Sequence, residues 1–223
     1  MNEQHMDVVD DANDHSNEDS LLPQDGFIGH RRQYLSVQMH CSYSGTEEWA
    51  TYFSMGIATD AQKSPLVEEI AEAGAPLNSK YFLNSENLEL WLDGQLAGLC
   101  RYRLSGHGDQ DLTISDLDAP NKDEPYALDL SLLAVFIRPQ YHSKGLGYLL
   151  SVQLADLVAS GVLSRILSAP FVSPHISFTV TADFESSEGE RFFDTLTEEL
   201  EMRLNAISAA VGAPIIITLD AGF

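Results

Sequence analysis

One stretch limits the possible folds more than any other. ALDLSLLAVFI (127–137) is a mostly apolar run that ends two residues before a proline, YLLSVQLADLVASGVL (148–163) has helical character, and HISFTVTADF (175–184) alternates apolar and polar residues. Strand, helix and strand in that order predict a βαβ unit, with two parallel strands joined by a right-handed crossover. Pro139 lacks an amide hydrogen, so ladder pairing has to stop there. Gly145 and Gly147 remove side chains where the chain enters the helix. The first amides of a helix have no internal partner and carry partial positive charge. Bare backbone at this junction can therefore approach a diphosphate closely, and Lys144 adds a formal positive charge beside it.

The flanking segments extend this unit into a larger sheet. QYLSVQMHCSY (33–43) alternates as a strand, and Ser44 to Glu47 carry helix-start chemistry that predicts a helix over TEEWATYFSM (46–55). On that reading Trp49, Tyr52 and Phe53 recur at helical spacing and face the core. A second helix is expected near SPLVEEIAEAG (64–74), stopped by Gly74. The run LELWLDGQLAGLCRYRL (88–104) folds back at Asp93-Gly94, a dipeptide suited to a type I′ turn, and so reads as a hairpin. A helix over about 190–210 and a final strand, PIIITLD (214–220), complete the order β-α-α-β-β-β-α-β-α-β. With one strand after the last helix, a homodimer would be an economical way to cover the exposed edge.

Charge decides which ligands suit such a sheet. The 223 residues hold 34 Asp and Glu against 12 Lys and Arg, a formal charge of -22. This excludes nucleic acid as the main ligand and disfavours anionic membrane surfaces, while it suits cationic ligands. No apolar run near the roughly 18 residues of a membrane span stands out, and the N-terminus lacks a signal peptide's basic start. Two cysteines, Cys41 and Cys100, cannot make a disulfide scaffold and read as reduced thiols of a cytoplasmic protein. The seven histidines show no HxxxH or HExxH spacing, so no metal is expected. Residues 1–25 have little to bury and are expected to be an acidic disordered tail on a single domain, 26–223. The acidic stretch 105–125 reads as a long loop.

The segment from Val135 to Gly147 resembles motif A of the GNAT acyltransferase superfamily, with Ile137-Arg138-Pro139 on its V-x-P and His142 to Gly147 on its phosphate loop. SSEGERFF (186–193) is similar to the family's N-x-x-A-x-x-[F/L]-Y stretch. The resemblance implies an α/β (α+β) fold with a mixed, mostly antiparallel sheet, a splayed parallel strand pair and helices on both faces. It also implies acetyl-CoA as co-substrate and a primary amine of a small cationic molecule or peptide as acceptor, with direct attack in a ternary complex. Backbone groups of Val135 and Ile137 would meet the pantetheine arm, and the Val135 amide would donate to the thioester oxygen. Amides of His142, Ser143, Lys144, Gly145, Leu146 and Gly147 would hold the diphosphate, with Ser186 joining the cofactor site.

The family's frequent catalytic Glu falls on Ser131. Asp129, two residues earlier on the same strand face, is the alternative base. The family's proton-donating Tyr falls on Phe193, leaving Tyr148 or Tyr141 to take that role. These departures also admit a second reading, a catalytically weak or inactive module that binds CoA or a partner protein.

Overall fold

A computed structural model describes residues 39–40, 50–72, 87–106, 125–168, 175–183 and 186–222. The acidic tail and residues 107–124 of the acidic loop lie outside the described residues, as do Ser44 to Trp49 and Gly74.

Seven strands are found among the described residues, lying side by side in chain order. They are β1 (Met39–His40), β2 (Ala50–Met55), β3 (Asn87–Leu92), β4 (Gln95–Gly106), β5 (Tyr126–Ile137), β6 (Ile176–Asp183) and β7 (Ile215–Gly222). Neighbours from β1 to β5 pair antiparallel, whereas β5–β6 and β6–β7 are parallel. The helices are α1 (Asp60–Glu72), α2 (Leu146–Ser168) and α3 (Ser187–Val211). Because β5, β6 and β7 step in one direction, two right-handed crossovers put α2 and α3 on the same face. There Leu150, Leu154, Phe192 and Leu196 close over Leu128, Leu130, Phe178 and Val180. On the opposite face Leu66 and Ile70 of α1 pack with Trp91, Leu99 and Ala134. The architecture is therefore the expected one, a mixed and mostly antiparallel sheet with helices on both faces.

The expected helix at 46–55 is overturned, because residues 50–55 form β2. Thr51, Tyr52 and Phe53 are the β-branched and aromatic residues that suit a pleated surface. Alternation sends Phe53 into the core shared with α2 and α3, while Tyr52 turns to the other face. Tyr52 stacks on its register partner Trp91, with ring centroids 5.6 Å apart and planes 4° from parallel. A helix-start signal operates further along instead. The Thr59 amide donates to Gln62 Oε1 at 2.9 Å and the Gln62 amide reaches Thr59 Oγ1 at 3.4 Å, a reciprocal capping box that opens α1.

The Asp93-Gly94 hairpin forms as read, with φ of 48° and 78° at the two central residues of a type I′ turn. A second correction concerns α2, which at 23 residues is long and apolar enough to cross a membrane by length and composition alone. In this fold that apolarity is used inside the protein, where Leu150, Leu154, Val158 and Val162 are buried between sheet and α3. A third finding is that the last strand lies alone at the sheet edge, parallel to β6, without an antiparallel mate among the described residues.

One buried carboxylate links the hairpins to α1. Glu89 on β3 is fully buried and accepts from Ser54 Oγ at 2.6 Å and from the amides of Ile57 at 3.1 Å and Ala58 at 2.9 Å. Ser54 Oγ in turn accepts from Trp91 Nε1 at 2.8 Å. Removing the carboxylate leaves these buried donors unpaired, so Glu89→Ala is expected to lower stability by about 3 kcal/mol in urea unfolding. An unchanged midpoint would refute this role. Cys100 is fully buried, and burial pushes its thiol well above the ordinary range. Thiolate is therefore scarce at pH 8, and alkylation of Cys100 by iodoacetamide is expected to follow global unfolding rather than precede it.

Candidate functional site

The site begins where two parallel strands stop pairing. β5 and β6 are in register from Tyr126↔Ile176 to Leu132↔Ala182, yet β5 runs on to Ile137. The cause lies on the other side of β5. Its register with β4 moves from Arg101↔Ala134 to Tyr102↔Leu132, leaving Leu133 as an extra residue. Such a bulge bends its strand and interrupts the ladder. Beyond it the Arg138 amide donates to Ala97 O on the β4 side at 2.9 Å. By antiparallel alternation, the backbone groups of Val135 and Ile137 then point the other way, into the gap past the end of the β6 pairing. Gly98 on β4 permits the close approach of this part of β5, since a Cβ there would lie 2.8 Å from Phe136 O.

A short loop joins this edge to α2. Pro139 to Tyr141 make one 3₁₀ turn, and Ser143 and Gly145 adopt positive φ of 60° and 76°. The first hydrogen bond of α2 runs from the Leu149 amide to Gly145 O at 3.2 Å. The amides of Leu146, Gly147 and Tyr148 therefore come before the helix's own ladder and carry the positive end of its dipole. Buried Leu146, 4% exposed, anchors the turn in the core. The two glycines differ in kind. Gly145 is needed for its left-handed backbone, whereas a Cβ on Gly147 would meet only Ile137 Cδ1, at 3.8 Å. Internal packing gives no reason for a glycine at 147, and its absence of a side chain leaves open backbone facing outward.

Side chains complete the loop. Lys144 Nζ lies 5.8 Å from the centre of the Tyr141 ring, and the Tyr141 hydroxyl contacts Gln95 Oε1 at 3.5 Å. His142 folds back so that Nε2 lies 2.7 Å from Ile137 O, which as a carbonyl can only accept. The imidazole occupies one acceptor position of that carbonyl, whereas the Ile137 amide is not engaged by this contact. Arg138 pairs with Glu69 of α1 through Nε at 2.9 Å and Nη2 at 2.5 Å. The Glu69 hydrogen bond holds the guanidinium above its ordinary pKa, so it stays charged. This pair fastens α1 to the end of β5.

The structure thus brings Val135, Ile137 and residues 142–147 to one end of β5. The other expected site residues are placed differently. Asp129 is exposed, and six strand positions separate it from Val135, about 20 Å of extended chain. The Ser131 hydroxyl accepts from Thr181 Oγ1 at 3.2 Å. Tyr148 is 55% exposed on the outer side of α2. Ser186 is the N-cap of α3, its hydroxyl accepting from the Gly189 amide at 3.1 Å. Phe193 is buried in the main core. Glu69 and Glu89 were not singled out from the sequence. Their partners lie far along the chain, and no local pattern marks them. Among the described residues no group of three or more His, Cys, Asp or Glu side chains is placed to hold a metal ion.

No protein-family model and no curated protein matches the chain. Among solved structures, the chain is similar to the acetyl-CoA complex of Arabidopsis thaliana NAA60, at 15% identity and a TM-score of 0.34, over 66% of this chain and 85% of that one.

The two loop glycines predict opposite changes in the free protein. Gly145→Ala is expected to cost about 1 kcal/mol through its left-handed backbone. Gly147→Ala is expected to gain about 0.5 kcal/mol from helix propensity. Urea unfolding of both variants checks the pair, and equal destabilisation would contradict the assigned geometry.

Proposed function

We propose that the protein is an N-acetyltransferase that moves an acetyl group from acetyl-CoA to a primary amine. The observation that carries this reading is the open edge of β5 beyond Leu132, leading through the Pro139–Gly145 loop to the unladdered amides of α2. An extended chain ending in a diphosphate has the shape and charge for that edge and loop. Amides can bind phosphate oxygens without net positive charge, which allows such a site in a chain of formal charge -22.

In this reading the Val135 amide donates to the thioester oxygen as negative charge develops there. The amine nitrogen bonds to the carbonyl carbon, the carbon–sulfur bond breaks, and its electron pair leaves with sulfur. The nitrogen gives up a proton and the thiolate takes one up. Asp129 lies too far along β5 to take that proton directly from an amine at Val135, so water would have to relay it.

A second reading, a CoA-binding module without turnover, is favoured by two placements. Ser131 stands where the family has its carboxylate, with its hydroxyl bonded to Thr181, and Phe193 is packed in the core where the family has its Tyr. Two measurements separate the readings. Acetyl-CoA is expected to raise the melting midpoint of the wild type, because it binds the folded state alone. Gly147→Glu should remove this shift by placing bulk and negative charge among the amides, while Asp129→Asn should retain it. Release of free thiol with any member of an amine panel identifies the enzyme. Stabilisation without thiol release identifies the module, and a full shift in Gly147→Glu would show that the loop was wrongly assigned.

A further inference from the structure

The side chains of β5 change sides part-way along the strand. Leu128, Leu130 and Leu132 belong to the core under α2 and α3, and unbroken alternation would put Ala134 and Phe136 there too. Instead Ala134 and Phe136 pack in the cluster under α1, while Val135 and Ile137 join the α2 side. The alternation slips once, at the extra residue Leu133. Leu133 is half-buried and, among the described residues, packs in neither apolar cluster. The strand thus carries a branched apolar side chain at a point where neither core uses it. That point is also the closed end of the gap, because Leu132↔Ala182 is the last pair of β5 with β6. Paired backbones lie about 4.8 Å apart, so a ligand chain cannot pass further between the strands.

Resting on the acetyltransferase reading, we propose that Leu133 is the residue that sets acyl-chain length, admitting acetyl and propionyl groups and excluding longer ones. With the diphosphate at the amides of α2 and the thioester oxygen on the Val135 amide, an acyl-CoA runs along β5 from Ile137 to Val135. Its acyl tail then continues toward Leu133. Two strand positions separate Val135 from Leu133, at most about 6.7 Å. An acetyl or propionyl group ends within that distance. A hexanoyl tail would have to enter the volume of the leucine side chain, with the last β5–β6 pair behind it, and close-packed protein resists such overfilling.

Calorimetric titration of the full-length chain with CoA, acetyl-CoA, propionyl-CoA and hexanoyl-CoA tests this. The wild type is expected to bind acetyl-CoA and propionyl-CoA alike and hexanoyl-CoA about tenfold more weakly. Leu133→Ala removes an isopropyl group, so hexanoyl-CoA should become about tenfold tighter than acetyl-CoA by burying its added methylenes. Leu133→Phe is expected to weaken propionyl-CoA about tenfold against acetyl-CoA. CoA without an acyl group should bind all three proteins alike, which a purely structural role of Leu133 in the bulge would not preserve. An acyl preference that is the same in all three proteins, or a parallel loss of every ligand in both variants, would overturn the assignment and leave the CoA site of the wild type standing. A preference that follows residue 133 without thiol release from any amine upholds the assignment and puts a binding module in place of the transferase. Absence of binding by any CoA ligand to the wild type removes both.

Discussion

The extra residue at Leu133 is the constraint on which the candidate site depends. A sheet in which β5 and β6 paired to their ends would have no open backbone between them. The register shift against β4 turns β5 away from β6 after Leu132 and leaves Val135 and Ile137 with their polar groups facing the gap. Pro139 then ends the strand, and the positive-φ residues Ser143 and Gly145 turn the chain so that α2 starts with its amides uncommitted. Bulge, proline and glycine each impair regular structure, and their combined effect is a concentrated set of backbone donors.

Support for this arrangement comes from the α1 side. Glu69 holds Arg138 at the end of β5, and Glu89 holds the segment before α1 from below. The helix is thus fixed at both ends by carboxylates, while most other acidic side chains among the described residues are exposed. Acidity here has two physical roles. A few buried or half-buried carboxylates receive hydrogen bonds and set geometry, while the formal charge of -22 sets the field around the molecule.

Much of the parallel half was legible because its signals are local. Pro139, the two loop glycines and the apolar run of α2 lie within about thirty residues, and Asp93-Gly94 specifies its own turn. Residues 50–55 misled because Trp49, Tyr52 and Phe53 fit helical spacing as well as a strand, and only pairing with Trp91 and burial of Phe53 decide between them. Ser186 has a local role that its sequence context allows, its hydroxyl capping α3. The Arg138–Glu69 and Glu89–Ser54 contacts join residues 69 and 35 positions apart, and no local pattern predicts either.

The topology also has a kinetic consequence. β3 and β4 meet across a two-residue turn, whereas Tyr126 finds Ile176, and Ile176 finds Ile215, only after a whole helix has been laid down between them. Closing those long loops costs entropy before any contact repays it, so the antiparallel half can assemble while the parallel half is still open chain. The cleft-bearing strands are then the late-forming part of the molecule. A newly made chain would pass through a stage with a folded hairpin platform and an unformed ligand cradle, its apolar α2 segment still uncovered and in need of shelter from aggregation.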